Sequence, residues 1–593
     1  MIAEASASVA TTKSRAASPL TKRNFAYLPL LLLLAAMTAM PLIILFMTSV
    51  IPDGAHPLDI AHQLTFDNYR EVFADPWTYR LLGNTFMFAG GALLLGMTIA
   101  IVMAWFVERT DMPLKDYAYI AIFLPMAMPG FITAMGWTFL LNPTNGILNV
   151  MMRDLFNLTT DYGPFNVYSL GGMILVAGLS IGPTMFIMLS SVMRNLDPSL
   201  EDSAYASGAG DTAVIRRIVL PLMRPGLLSI FIYFFVSAIE MLEIPLIFGT
   251  NANFNVLSVT VYRKTAGGDF DLPNYGLSST YAILGLIIGF ALLLIYFRLM
   301  RQADRYAVIT GKGYRPKEYK LRTSTKYLAV AFFILFIFLK LIMPLLVLLW
   351  SSLLPFFQPP SWDALGMLTL KNYAALLDLG RFGQAVINTL IMMTATAVCC
   401  MGLAAIVSWV VVRGKGILAR TIDVLAFLPH LLPGLVIALA LLLTSVGTPL
   451  YGTLTVIVLG NIIRYLPFGV RIMTSVMYQV AAELEDAAYA SGASRLTTFR
   501  RIILPLVLPA FANGLVWCAS HAMKDMTLPL FLVSTSNIVI AGLMWETWSR
   551  GSGEMTAAIS VLLVAVLLCI ITPLQLALRR RVHRLDTEFG TRL

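Results

Sequence analysis

The feature that most limits this chain is a dozen long apolar runs carrying almost no charge. They fall near 27–50, 82–106, 117–141, 170–193, 226–248 and 280–297, and again near 327–354, 385–412, 422–443, 454–473, 510–532 and 557–576. A helix needs about 20 apolar residues to cross a bilayer, because hydrocarbon leaves no partner for an unpaired backbone N–H or C=O. Only 12% of the 593 residues are charged, and 58% are hydrophobic; soluble domains carry roughly twice that charge. Buried core helices of a soluble protein do not supply twelve such runs. The chain reads as an all-α polytopic membrane protein with about 12 transmembrane helices.

Lys and Arg placement sets the expected orientation, since cytoplasmic loops hold the excess. With the N-terminus inside, inside segments hold 30 of the 42 Lys and Arg and outside segments hold 8; Lys340, Arg464, Arg471 and Lys524 lie within spans. Both termini are therefore expected in the cytoplasm of a bacterial inner-membrane protein. The net charge of +10 is then a topology signal plus contact with anionic lipid. No basic folded surface for nucleic acid is visible. Residues 1–26 read as a short cytoplasmic tail before an uncleaved first span, because the apolar run is too long for a signal peptide.

A repeat divides the chain. The polar stretch 196–226 returns as 480–510, with Glu201, Gly208 and Pro221 matched by Glu485, Gly492 and Pro505 at an offset of 284. FLPMAMPG at 123–130 matches FLPHLLPG at 427–434, and Asn84-Thr85 matches Asn388-Thr389, at 304. The first half thus has 20 extra residues, placed in the outside loop 142–169. The expected organisation is a first half over 27–299, a cytoplasmic linker over 300–326 and a second half over 327–593. Both halves run in the same direction with six spans each, so this is a parallel repeat.

Each polar copy reads as a helical hairpin. Asp197-Pro198 is a helix start, Gly208 a helix end, and a second short helix over 213–219 carries Arg216 and Arg217 and stops before Pro221. The second copy offers Gly492, Arg500, Arg501 and Pro505. Small residues on the first helix allow close approach by another surface. A hairpin that merely links two spans is the plainer alternative; two near-identical copies joined by divergent spans weigh against it.

At these residues the chain resembles the permeases of binding-protein-dependent ABC importers, whose loop signature is E-A-A-x3-G-x9-I-x-L-P. Here it reads Asp202-Ser203-Ala204, Gly208, Ile218, Leu220, Pro221, and again Asp486-Ala487-Ala488, Gly492, Ile502, Leu504, Pro505. Asp stands in the acid position, preceded by Glu201 or Glu485, and Ser203 replaces an Ala. The resemblance implies a type I importer permease fold with two homologous six-helix halves. It further implies that Glu201, Asp202, Ala204, Gly208, Pro221 and Glu485, Asp486, Ala488, Gly492, Pro505 couple to two copies of an ATPase subunit. A periplasmic or lipid-anchored solute-binding protein is the other implied partner. The fused arrangement, with FNVYSLGGMI after the extra loop, looks most like ferric-iron-type permeases. Ferric iron is thus the leading substrate, with a polyamine, an aminophosphonate or another small solute as alternatives.

The residues agree about energy. No GxxxxGK[ST] phosphate loop exists, since Gly311-Lys312 and Gly414-Lys415 lack the upstream glycine. No cofactor is expected on this chain, and ATP is left to a partner. The five histidines are scattered, the four cysteines fall in apolar runs as small hydrophobes, and no metal-ligand cluster or reactive constellation appears, so the chain is not expected to be an enzyme. An ion-coupled secondary transporter shares the gross plan but has no need of matched polar hairpins.

Charges inside a membrane are costly and point to function. Glu240 and Glu243 lie in the fifth span, and His521, Lys524 and Asp525 in the eleventh. The expectation is that both sets line the translocation pathway, with Glu240 pairing Lys524, its counterpart at 284, across the axis. A pair that only fixes the two halves together is the alternative. Pro245 and Pro529 are expected to break each helix just beyond these charges. Arg464 is expected to find a buried partner and Arg471 to snorkel inward. The loop 142–169 is expected to meet the binding protein or to form a lip at the membrane surface.

Overall fold

The computed structural model describes residues 27–52, 64–267 apart from 195 and 197, 272–303, and 318–570 apart from 415 and 482. Ten of its helices are long and apolar enough to cross a membrane, or twelve when each of two bent pairs counts as one crossing. The first half runs α1 (Leu28–Ser49), α2 (Pro76–Arg109), α3 (Lys115–Met126), α4 (Gly130–Leu141), α5 (Ile147–Phe156), α6 (Leu170–Arg194), α7 (Pro198–Ala206), α8 (Asp211–Ile239), α9 (Glu243–Asn251), α10 (Leu257–Ala266) and α11 (Tyr275–Ala303). The second half repeats this order with α12 (Thr323–Ser352), α13 (Gly380–Arg413), α14 (Ile417–Phe427), α15 (Gly434–Ser445), α16 (Leu454–Met477), α17 (Glu483–Ala490), α18 (Phe499–Lys524), α19 (Thr527–Leu532), α20 (Ile540–Ser549) and α21 (Gly553–Ile570).

Each half is built on one long pair, α2 with α6 and α13 with α16. Small residues set the close approach: a Cβ on Gly96 would lie 3.1 Å from the Gly178 carbonyl, the small-residue packing that apolar helices use in place of a hydrophobic driving force. The first helix of each half crosses over. α1 lies against α14 and α15 of the second half, while α12 lies against α3 and α4 of the first. The matched Asn-Thr pairs do one job twice. Thr85 and Thr389 accept the backbone N–H groups of Leu257 and Ile540, each at 2.9 Å, so they hold the starts of α10 and α20.

Four expectations change. The third and ninth spans are not straight: α3 meets α4 at 89°, and the helix ending at His430 meets α15 at 97°. The FLPMAMPG and FLPHLLPG motifs are these breaks, because Pro129 and Pro433 cannot donate and stand just before the next helix starts. The second hairpin helix does not stop before Pro221. A π turn over Ile215–Val219 runs into Leu220, and Phe499–Ile503 does the same before Leu504; the widened turn accommodates the proline that an α-turn would reject. The fifth and eleventh spans break at their charges rather than beyond them. Pro245 and Pro529 sit in the first turns of α9 and α19, where a missing N–H costs nothing. Finally, Cys400 and Cys518 are buried, but Cys399 and Cys569 face out of the bundle.

Candidate functional site: two polar hairpins and a charged helix break

The hairpins are rigid for a local reason. α7 begins at Pro198 and closes at Gly208, whose φ of +83° a side chain would resist; Gly492 closes α17 with φ +82°. The expected cap at Asp197 lies outside the described residues. Of the two adjacent acids in each hairpin, Glu201 and Glu485 are buried, while Asp202 and Asp486 are exposed. Glu201 pairs with the fully buried Arg109 at the end of α2. Glu485 pairs with Arg413 at the end of α13, 2.6 Å away. Arg109 and Arg413 are themselves 304 apart, a match that sequence spacing contains and that charge placement alone does not single out. So Glu201 and Glu485 fasten each hairpin to its own bundle, and the outer surface is left to Asp202, Asp486, Gly208, Gly492 and the exposed pairs Arg216-Arg217 and Arg500-Arg501. Ala204 and Ala488 turn partly inward, and Pro505 is more exposed than Pro221.

At the centre, both broken helices present charge where their backbone opens. Glu240 follows the last residue of α8, and Glu243 begins α9. Glu240 does not pair with Lys524: no ion pair within 4.0 Å joins them. It accepts instead from the N–H of Gly434, at 3.2 Å, the first residue of α15 in the other half. Lys524 donates to the carbonyl of Met126, at 3.3 Å, the last residue of α3 in the other half. Each charge has the sign its helix end prefers, acid at an N-terminus and base at a C-terminus. Glu243 lies on Gly130, where a Cβ would sit 2.1 Å from its Oε2, and accepts from the N–H of Phe131. Arg464 finds Asp525 at 2.9 Å and lies over Gly434, where a Cβ would sit 2.8 Å from its guanidinium carbon.

Lys340, which sequence reasoning only counted, belongs to this cluster. It donates from α12 to Thr133 at 2.9 Å and Ser180 at 3.0 Å, both in the first half, and faces Glu243 and Lys524. Its mid-span position in an apolar run was the available signal. His521 stands apart. It stacks on Trp517 at 3.9 Å and bonds the Trp517 carbonyl at 2.9 Å. Arg471 pairs with Asp423 at 3.2 Å and lies over Phe427. The cluster holds Glu240, Glu243 and Asp525 against Lys340, Arg464 and Lys524, a formal balance. Among the described residues no group of three or more His, Cys, Asp or Glu is placed to hold a metal.

In the extra loop, Asn149 of α5 bonds the carbonyls of Asn142 at 2.9 Å and Phe165 at 2.7 Å, closing it into a built cap. Met151, Leu155 and Phe156 remain exposed on that helix.

The chain is 25% identical over 509 residues to the ferric transport system permease protein FbpB of Actinobacillus pleuropneumoniae, covering 84% of this chain and 71% of that one. It is 24% identical over 502 residues to the Fe(3+)-transport system permease protein FbpB 2 of Haemophilus influenzae, covering 83% and 89%. A solved bacterial ABC transporter involved in import of the acidic polysaccharide alginate aligns over 43% of this chain and 96% of that chain, with 18% identity and a TM-score of 0.34. Residues 92–306 and 401–584 each match the family described as the binding-protein-dependent transport system inner membrane component. With both halves matched in one chain, this multi-pass protein belongs to that family of ABC importer permeases, as a fused two-repeat member.

Proposed function

We propose that this permease forms the translocation path of an ATP-driven importer whose two coupling hairpins each seat one copy of a separate ATPase subunit. The observation that carries the reading is the twin fastening of Glu201 to Arg109 and Glu485 to Arg413. A hairpin pinned by a buried ion pair moves with its bundle, so force applied to its exposed face reaches the membrane helices. In this reading Asp202 and Asp486, with the paired arginines behind them, meet the ATPase on the cytoplasmic side. The domain division at 300–326 then separates two bundles that tilt against one another.

The central cluster is the gate. Glu240 and Lys524 hold the opened helix ends of the opposite half, so tilting must change both contacts together. Solute arrives from a periplasmic or lipid-anchored binding protein, with the cap around α5 as its landing surface. The relatives named for ferric transport support ferric iron as substrate. The formal charge balance of the cluster gives no preference for a cation, and this favours keeping a small solute of another class, such as a polyamine or an aminophosphonate, as the second reading. Identifying the ligand that the partner binding protein carries when purified, and measuring its uptake into vesicles with the permease and ATPase, tests both readings. Uptake of ferric iron alone supports the first; uptake of the other solute alone supports the second. Failure of any ATPase to bind the permease overturns the role itself.

A further inference from the structure

The two hairpin carboxylates are held by different hands. Glu485 takes Arg413 and, at 3.4 Å, the indole N–H of Trp409, both from its own α13. Trp105 is the counterpart of Trp409 at 304, but it does not reach Glu201. It stacks instead on Tyr319, with ring centroids 5.4 Å apart. The Tyr319 hydroxyl donates to Glu201 at 3.1 Å and so fills the place that the indole fills in the second half.

Tyr319 comes from the described end of the linker, and that end is fixed to the end of α2. Its N–H donates to the Arg109 carbonyl at 2.8 Å and its carbonyl accepts from Asp111 at 3.2 Å, a short parallel bridge beside Thr110. Asp111 also accepts from the Leu321 N–H at 2.7 Å and pairs with Lys326 at 2.6 Å; Lys115 pairs with Glu318 at 2.6 Å. Tyr319 also lies beside Tyr205, whose hydroxyl donates to Asp211 at 2.9 Å. Tyr205 is on α7 and Asp211 opens α8, so Tyr319 touches the first arm directly and reaches the second through Tyr205. Burial and these neighbours push the Tyr319 hydroxyl upward from its usual range, so it stays a donor.

We propose that the linker segment 318–321 is a working part of the first coupling hairpin, with Tyr319 a positioning residue that acts through Glu201. The second hairpin is self-supported through Trp409. The inequivalence gives the single-chain arrangement a consequence: segment 318–321, which leads into the second half, steadies one hairpin and not the other. This rests on the hairpins being the coupling elements, but its structural half is tested without any ATPase.

The test is amide exchange on the full-length permease in lipid nanodiscs, with Tyr319→Phe and Trp409→Phe compared. Tyr319→Phe keeps the ring and removes one donor, and Trp409→Phe keeps an aromatic ring of smaller size and removes the indole N–H. Tyr319→Phe is expected to speed exchange over 199–208 about tenfold, as losing one hydrogen bond to a charged group does, and to leave 483–490 unchanged; Trp409→Phe is expected to do the reverse. An unchanged first hairpin, or equal loosening of both hairpins by Tyr319→Phe, overturns the proposal. In the reconstituted complex Tyr319→Phe is expected to lower solute moved per ATP several-fold at unchanged KM for ATP, and an unchanged ratio overturns the positioning role. If no ATPase binds, the proposed function fails while the exchange result still decides the linker's part.

Discussion

Glu240 and Lys524 hold equivalent places in the two halves, 284 residues apart, and each reaches into the other half to hold a broken helix end. Glu240 accepts from Gly434 at the start of α15, and Lys524 donates to Met126 at the end of α3. The signs are opposite because the ends are opposite. Exchanging the two residues, Glu240→Lys with Lys524→Glu, separates this from a direct pair. A direct pair would tolerate the exchange. The helix-end contacts are expected to lose both partners, with transport falling at least tenfold while the purified permease–ATPase complex stays intact.

The glycines at these breaks are expected to resist substitution. Gly130→Ala drives a methyl onto Glu243, and Gly434→Ala drives one onto Arg464. Each methyl meets the charged end of a side chain that can swing aside. Each is therefore expected to pull that charge from its partner and lower transport, at a cost to thermal stability in detergent toward the low end of the roughly 1–3 kcal/mol of overpacking. Gly402→Ala is the control. Nothing lies within 4 Å of its added Cβ in the middle of α13, so it is expected to be neutral or stabilising by about 0.5–1 kcal/mol.

Breaking the hairpin anchors is expected to be unequal. Arg109 and Glu201 are 0% and 2% exposed, whereas Arg413 is 24% exposed beside Glu485. Arg109→Met leaves a buried carboxylate without its counter-ion and is expected to cost about 3–5 kcal/mol. Arg413→Met is expected to cost less, because water reaches that site. Arg109→Met combined with Glu201→Leu is expected to recover much of the loss, measured by thermal unfolding of the four variants.

The linker clamp has a defined pH response. The Lys326 ammonium, then the Leu321 N–H, hold Asp111 below its ordinary value of 3.8. A carboxyl depressed in the folded state contributes stability that is complete above its unfolded pKa and lost as pH falls through the lower folded one. Protection of the Leu321 amide, corrected for intrinsic exchange, is therefore expected to be flat between about pH 5 and 8 and to weaken only in stronger acid.

Much of this was legible in the residues. Apolar length gave the crossings, since hydrocarbon allows few solutions, and matched motifs gave the two halves and their hairpins. The breaks were partly legible. The prolines at 129 and 433 marked them, but Pro245 and Pro529 misled, because a proline in the first turn of a helix looks the same in sequence as one that ends a helix. Partner choice was not legible. Glu240 and Lys524 are natural mates by charge and position, and only the two bends, before α15 and between α3 and α4, put a helix end nearer to each. Nor did a basic linker announce that Tyr319 would stand where Trp409 stands, since that depends on a strand returning beside Thr110.

The central claim is that the two hairpins carry the stroke, and the distance between them tests it most directly. Spin labels at Ser203→Cys and Ala487→Cys, both exposed and 284 apart in sequence, in a background with the four native cysteines replaced by serine or alanine, report that distance by electron double resonance in the assembled importer. The expected result is a shorter distance with ATP bound than without nucleotide, abolished when Arg109 and Arg413 are both replaced by Met. An unchanged distance in a complex that still transports solute would contradict the account.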